Sequence, residues 1–178
     1  KNGAIGLKIS KGLGLQNVKT DGSLVKVNDP LLKPIWEACA RLNIPVIIHT
    51  AEPEEFFSPM DFQNERWLEL ALFEDRRNYM PGRPKFADLQ RERDELFITN
   101  PKTRFIGAHF AYYGNNLKKA AELLDKAPNA VLEVGAVLYD FARQPRASRE
   151  FFIKYQDRVL FGKDAYNVSE YHVYFRLL

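Results

Sequence analysis

The side chains of this chain that could do chemistry are two histidines and an aspartate, each placed directly after a short apolar run. His49 and His109 each close such a run, and Asp164 follows a third. Imidazole and carboxylate groups bind divalent metals such as zinc, and both act as general acids and bases. If the three side chains meet, they could activate a water molecule or transfer a proton. The structural alternative is that each side chain only caps its strand through a backbone hydrogen bond.

The elements that position these side chains follow a strand-then-helix order. Apolar, β-branched runs bounded by polar turns are typical of strands buried on both faces of a parallel sheet. The predicted strands are residues 4–9, 44–48, 104–108, 130–134 and 158–163. The predicted helices are residues 31–42 after the N-cap Asp29, 86–99, 116–126, 148–155 and a last helix beginning at Ser169. Because the carboxyl ends of parallel strands share one rim, His49, His109 and Asp164 are expected to converge there.

This alternation of elements predicts an α/β fold built from βα units of one hand. It fits either part of a (β/α)8 barrel or an open doubly wound sheet. A complete barrel usually needs about 250 residues. The 178 residues of this chain would therefore leave a barrel about three strands short. We expect one domain, residues 1–178, that is truncated at both ends.

The composition is that of an ordinary globular chain and excludes several classes of protein. Hydrophobic residues make up 46% and charged residues 28%, which excludes disordered and fibrous chains. The net charge of +3, with acids interspersed among the bases, argues against nucleic-acid binding. No apolar stretch approaches the roughly 20 residues that cross a bilayer. The compartment stays unknown, because the chain does not begin with Met and its true N-terminus is expected to be missing. A cytoplasmic location is favoured.

Two further charged side chains lie inside predicted strands. Lys8 is in an apolar segment near the end of the first strand, which is unusual for an ammonium group. It could contact a substrate carboxylate, bind a metal if carboxylated, or form an ion pair with Glu133. Glu133 lies inside the fourth strand and is expected to pair with Lys8 or Lys163 rather than to act as a catalyst.

Residues 51–85 form a long polar and aromatic segment between the second strand and the next helix. A loop of this length in a compact domain is commonly a lid or a pocket wall, and this one starts at the rim that carries His49. We expect Arg66 and Trp67 to contact the substrate. The alternative is a surface excursion whose aromatic side chains pack on the barrel.

Four motifs taken together resemble the amidohydrolase-related family. They are residues 3–9 (GAIGLKI), 44–50 (IPVIIHT), 105–109 (FIGAH) and 158–164 (RVLFGKD). This branch of the amidohydrolase superfamily contains metal-dependent hydrolases and the aminocarboxymuconate-semialdehyde and resorcylate-type decarboxylases. The resemblance covers nearly the whole chain, and it is the ordered set of motifs that carries it.

The resemblance implies a distorted TIM barrel of which this chain supplies strands 4 to 8 with their helices. It implies a divalent metal, zinc or else manganese, bound by His49 and Asp164 at the carboxyl rim, and no organic cofactor. His109 and Asp164 would be catalytic, His109 by orienting or deprotonating water. Lys8 matches the fourth strand. The family's first-strand His-x-His pair does not occur in this chain, and Lys163 stands where a small or hydroxyl residue is commoner.

The expected function is that of a metal-dependent hydrolase that uses a metal-activated water on an ester, lactone, amide or related bond. A metal-dependent, non-oxidative decarboxylase of an acidic or aromatic acid is the alternative on the same site. A non-catalytic α/β binding module is the second alternative. The expected partners are a small-molecule substrate and the N-terminal half of the barrel, without nucleic acid or membrane, and a homo-oligomer is left open. The chain alone is expected to be inactive.

Overall fold

The computed structural model describes residues 3–177 and contains one parallel sheet; Lys1 and Leu178, the ends of the predicted domain, lie outside the described residues. The strands are β1 (Leu7–Ile9), β2 (Val46–Ile48), β3 (Phe105–Gly107), β4 (Ala130–Glu133) and β5 (Val159–Leu160). Each strand pairs in parallel with the next along the chain, so their spatial order equals their chain order. A doubly wound sheet reverses its order at a switch point, whereas a barrel wall does not. The sheet therefore confirms the predicted α/β class and fits the partial barrel.

Helices connect these strands. They are α1 (Gly12–Leu15), α2 (Lys33–Leu42), α3 (Trp67–Leu72), α4 (Phe86–Thr99), α5 (Leu117–Lys126), α6 (Leu138–Arg143), α7 (Pro145–Lys154) and α8 (Tyr171–Leu177). The Asn116 side chain caps α5 by accepting a hydrogen bond from the Lys119 backbone N–H at 3.1 Å. Asp29 caps the 3-10 turn Pro30–Leu32, which precedes α2. No helix in the described part of the chain is both long and apolar enough to cross a membrane.

The two faces of the sheet differ in burial. On one face, side chains such as Phe105 of β3 are buried in the core against the helices. Trp36 of α2 meets Phe105 edge-on, and Phe97 of α4 stacks on the same ring with centroids 4.5 Å apart. The other face carries a row of paired residues that are half-buried or exposed: Lys8, Ile47, Ile106 and Val131. In a closed barrel this row would face the interior.

The segment 51–85 has structure of its own. It contains a 3-10 turn at Glu54–Phe57, helix α3 and a second 3-10 turn at Glu74–Arg76. The Asn64 side-chain nitrogen lies 2.9, 3.3 and 3.0 Å from the carbonyl oxygens of residues 55, 58 and 59, which ties the first turn together. The segment is joined to α6 by Arg66, whose guanidinium lies 4.2 Å from the centroid of the Tyr139 ring.

Candidate functional site

Two of the predicted residues, His49 and His109, lie at the carboxyl ends of neighbouring strands. His49 follows β2 directly, and His109 lies two residues beyond β3. His109 Nε2 is 3.2 Å from His49 Nδ1, and the ring centroids are 4.4 Å apart in an edge-on arrangement. His109 is buried and His49 is half-buried. The fold thus brings the two imidazoles into direct contact at the rim.

The main chain sets the direction of the hydrogen bonds through these two rings. His109 Nδ1 lies 2.9 Å from the carbonyl oxygen of Gly135, which can only accept, so Nδ1 carries the proton. When both rings are neutral, His109 Nε2 accepts from His49 Nδ1, and His49 Nε2 accepts from the Tyr112 hydroxyl 3.1 Å away. The hydrogen bonds all run from Tyr112 to Gly135. We call Tyr112, His49, His109 and the Gly135 carbonyl the imidazole row.

Glu52 and Lys11 border the imidazole row, although sequence analysis singled out neither of them. Glu52 Oε2 lies 3.5 Å from the Tyr112 hydroxyl and 3.7 Å from His49 Nε2. The other carboxylate oxygen of Glu52 forms an ion pair with Lys11. The signal that could have found Glu52 and Tyr112 is their spacing, because each lies three residues after a strand-end histidine.

Burial is the largest single influence on the pKa values of His109, Tyr112 and Glu52. It lowers the pKa of His109, against the opposing effect of the Gly135 carbonyl, so the ring is neutral at neutral pH. Burial also raises the pKa of Tyr112 strongly, and the Glu52 carboxylate adds to this rise, so the hydroxyl keeps its proton. For Glu52, burial alone would raise the pKa, but the interactions of its carboxylate with the nearby His49 ring and the Lys11 ammonium outweigh it and lower the pKa. A protonated phenol therefore lies beside a charged carboxylate at one end of the row.

The turn that carries His109 and Tyr112 has a left-handed backbone. The φ angle is +54° at His109, +55° at Phe110, +53° at Ala111 and +52° at Tyr112. None of these four residues is glycine, and an L-residue in the left-handed helical conformation costs roughly 1–2 kcal/mol. Because of this path, two side chains three residues apart both reach His49. A conformation this costly persists only where its surroundings impose it.

Glu133 bonds to backbone N–H groups on the strand side of this turn. Its Oε2 accepts from the His109 N–H at 3.3 Å, and its Oε1 accepts from the Gly135 N–H at 2.5 Å. Gly162 leaves room for this carboxylate, because a Cβ atom at that position would lie only 2.1 Å from Glu133 Oε1. Glu133 therefore fixes the backbone at both ends of the His109 to Gly135 hydrogen bond.

The predicted ion pair of Glu133 with Lys8 or Lys163 is wrong. The carboxylate of Glu133 is turned toward the main chain, as its two hydrogen bonds show. Lys163 instead forms an ion pair with Glu170. Lys8 is exposed on the open face of the sheet, where it pairs in register with Ile47.

Asp164 lies beside the imidazole row but bonds to neither ring within the described structure. Its side chain is exposed, and its backbone nitrogen is 3.2 Å from the place a Cβ of Gly135 would occupy. Burial lowers the pKa of His109, and the charge of Asp164 opposes this effect in part. Among residues 3–177, no three His, Cys, Asp or Glu side chains form a group that could hold a metal ion. The roles assigned to His49, His109 and Asp164 stay predictions.

The predicted substrate contacts, Arg66 and Trp67, lie at the start of α3. Arg66 is half-buried over Tyr139, and its Nη1 is 3.2 Å from Glu69 Oε2. Tyr139 in turn is close enough to Tyr112 to raise the pKa of that phenol. Trp67 is 49% exposed. Arg66 therefore adjoins the imidazole row through Tyr139, whereas Trp67 presents half of its ring to solvent.

A comparison of the sequence with protein families decides the class of the chain. A family described as Amidohydrolase matches residues 2–177. The chain belongs to the amidohydrolase family. The resemblance carried by the four motifs is confirmed. Curated proteins yield no match to this amidohydrolase.

The solved structures support the barrel fold of this amidohydrolase. One match is the crystal structure of an uncharacterised TIM-barrel protein from Bordetella bronchiseptica, with a TM-score of 0.58 and 19% sequence identity. It covers 96% of this chain and 50% of that one, so the chain spans half the length of its structural relative. At this identity the likeness shows the fold alone.

Amidohydrolase-family members generally use divalent metals, and the donors at this rim fit part of such a site. His49 Nε2 has a lone pair, which here accepts from the Tyr112 hydroxyl, while His49 Nδ1 is held by His109. A hydrogen bond on the second ring nitrogen is the usual device that orients a metal-binding histidine. The carboxylates of Glu52 and Asp164 add oxygen donors at the same rim. These groups make an incomplete set, because a catalytic zinc normally takes three protein ligands.

Proposed function

We propose that this amidohydrolase chain supplies the proton-handling half of a metal-dependent hydrolase that acts on an ester, lactone, amide or related bond. The observation that supports the proposal is the imidazole row, which joins the ends of β2 and β3 and in which the lone pair of His49 Nε2 accepts only from the Tyr112 hydroxyl, a hydrogen bond that a metal ion would replace. Family membership supports a hydrolytic enzyme in general, and the row supports the choice of groups.

His49 and Asp164 are the residues we propose to hold a zinc or manganese ion. A divalent ion at this rim lowers the pKa of water and polarises a carbonyl oxygen. His49 is suited to bind through Nε2, because the contact of its Nδ1 with His109 fixes the ring. Asp164 is suited by its exposure, since no ion pair in the described structure competes for its carboxylate.

His109 is the residue we propose to take up and return a proton. Its ring is neutral at neutral pH, because burial lowers its pKa. The Gly135 carbonyl holds Nδ1, and Glu133 holds the backbone N–H, so Nε2 is the nitrogen that would take up the proton, in place of the hydrogen bond it now accepts from His49 Nδ1. A neutral imidazole held in one orientation is a good general base, which can then act as a general acid toward the leaving group.

The remaining part of the barrel is a proposed partner of this chain. The chain spans half of the TIM-barrel structure it matches, and its rim supplies fewer ligands than a catalytic metal needs. We propose that further ligands come from strands outside this sequence and that residues 1–178 alone are inactive. Lys8, Arg66 and Trp67 would contact a small-molecule substrate, Lys8 from the open face of the sheet and Arg66 from its place over Tyr139.

The test is metal content and turnover of the full-length protein that carries this chain. We expect about one zinc or manganese per protein, lost in His49→Ala and Asp164→Ala and retained in the control Lys154→Ala, which lies on α7 and whose ammonium is near Tyr155. Hydrolysis of a panel of esters, lactones and amides would support the hydrolase. Release of CO2 from aromatic acids instead would assign the decarboxylase. A protein with neither stoichiometric metal nor turnover would reject the proposal. The non-catalytic binding module would then be the remaining alternative.

A further inference from the structure

The left-handed turn, residues 109–112, contains no glycine, so groups outside the turn must hold its conformation. Positive φ angles are usual for glycine and rare for other residues, because the Cβ atom collides with the backbone. Here His109, Phe110, Ala111 and Tyr112 all have φ between +52° and +55°. Such runs hold only where neighbouring groups bond to the turn itself.

Arg93 of α4 bonds to the middle of the turn. Its Nη1 donates to the Ala111 carbonyl oxygen at 2.8 Å, and its Nε donates to Asp94 Oδ1 at 2.7 Å. The side chain is 0% exposed, and its guanidinium lies 4.8 Å from the centroid of the Tyr113 ring. A buried guanidinium is costly unless it is paired and hydrogen-bonded, so these contacts are specific rather than incidental.

The same helix also holds the end of the turn. The Tyr113 hydroxyl donates to Asp94 Oδ2 at 2.7 Å, and Asp94 is the carboxylate that pairs with Arg93. Helix α4 therefore bonds to this part of the chain at the Ala111 carbonyl and again at the Tyr113 hydroxyl. At the other end of the turn, the Glu133 carboxylate accepts a hydrogen bond from the His109 N–H at 3.3 Å.

We propose that Arg93 is a positioning residue that holds the left-handed turn by the Ala111 carbonyl and so keeps His109 and Tyr112 against His49. Arg93 itself donates to neither imidazole in the described structure: its Nε donates to Asp94 and its Nη1 to Ala111, while its buried Nη2 has no hydrogen-bond partner. The catalytic meaning of this role rests on the proposed function. The mechanical role does not, because it concerns only the conformation of the turn.

The experiment compares Arg93→Met with Arg158→Met in the full-length protein. Arg158 is a matched control, because it also donates to main-chain carbonyls, those of Ala127 and Ala130, but at the amino end of β4, whereas the imidazole row lies at the carboxyl ends of the strands. Hydrogen exchange of the peptide covering residues 108–113, read by mass spectrometry, should speed up at least tenfold in Arg93→Met. It should change less than threefold in Arg158→Met.

A second substitution separates positioning from general packing. Ala111→Gly removes a Cβ from the left-handed region, so the turn should need less restraint. Added to Arg93→Met, it should restore most of the exchange protection and of the zinc affinity, which we expect to fall about tenfold in the single variant. A packing defect at Arg93 would not be repaired by a glycine at position 111. If the double variant exchanges as fast as Arg93→Met, the proposal is overturned.

Two outcomes remain to be assigned. If Arg93→Met does not fold, Arg93→Lys and Tyr113→Phe replace it: each should speed exchange of residues 108–113 by a smaller factor, and unchanged exchange in both would overturn the proposal. If the wild-type protein binds no zinc or manganese, the proposed function fails. The exchange comparison still decides the role of Arg93 in that case, because it requires no metal.

Discussion

The middle of the sheet and its two edges hold their polar side chains in different ways. His109, beyond the central strand β3, is buried and bonded through both ring nitrogens and its backbone N–H. Lys8 on β1 and Asp164 after β5 are exposed. A central strand has neighbours on both sides whose following loops supply hydrogen-bond partners, whereas β1 and β5 have a neighbour on one side only. The number of neighbouring strands decides how firmly a strand-end residue is held.

The largest expected effect comes from adding a methyl group just after the edge strand β5, where it would collide with Glu133 of β4. In Gly162→Ala, the new Cβ would lie 2.1 Å from Glu133 Oε1, which already accepts from the Gly135 N–H. Either the carboxylate or the backbone that follows β5 must move, and we expect a loss of about 3 kcal/mol in the free energy of unfolding measured in urea. Gly6→Ala is the control, because its Cβ would lie 3.3 Å from the Pro45 carbonyl oxygen. Equal losses in the two variants would contradict the tight contact at Glu133.

A smaller effect should separate His109→Ala from Asp164→Ala. The first leaves the Gly135 carbonyl and His49 Nδ1 without a partner in a buried place, which should cost about 1–3 kcal/mol of unfolding free energy. The second removes an exposed side chain and should change stability by less than about 0.5 kcal/mol. Both should abolish turnover if the proposed function holds. If Asp164→Ala destabilised the protein as much as His109→Ala, the proposed difference between residues after the central strand β3 and after the edge strand β5 would be contradicted.

The smallest effect is a pH dependence at Asp140, a buried aspartate of α6 that contrasts with exposed Asp164. Burial raises the pKa of Asp140 from 3.8 to about 6, although Arg143 opposes this rise. The folded protein therefore binds more protons than the unfolded chain between these values, so protonation favours folding. Relative to Asp140→Asn, the wild type should gain about 1 kcal/mol of stability as the pH falls from 7 to 5. A constant difference across this range, in urea unfolding at each pH, would refute the shift.

Much of the fold could be predicted from the sequence, because it depends on local patterns. Helix α4 has the predicted bounds of residues 86–99, and the strands have the predicted order, although β5 is limited to Val159–Leu160. Helix α6 was not predicted, since its six residues, Leu138–Arg143, are too few for a clear helical period.

The contact of His49 with His109 could also be predicted, because strand ends in a parallel sheet meet. The rest of the site depends on backbone conformation that no residue pattern announces. The left-handed turn contains no glycine, so the path that brings Tyr112 to His49 could not be predicted, and only the spacing of Tyr112 from the strand-end His109 hinted at it. The role of Glu133 was missed for a similar reason. Its partners are backbone N–H groups, and because nearly every residue has one, the sequence does not show which of them lie near Glu133.

The Gly135 carbonyl at the end of the imidazole row has a consequence for how this site can vary. An oxygen that only accepts fixes the tautomer of His109, which fixes that of His49, which fixes the orientation of the Tyr112 hydroxyl. The polarity of the whole row is thus encoded by a main-chain atom that every amino acid would present at position 135. Substitutions can delete members of the row, but none can reverse it while the backbone keeps its path. Evolution or design could change the other side chains of this rim far more easily than the direction of the hydrogen bonds along the imidazole row.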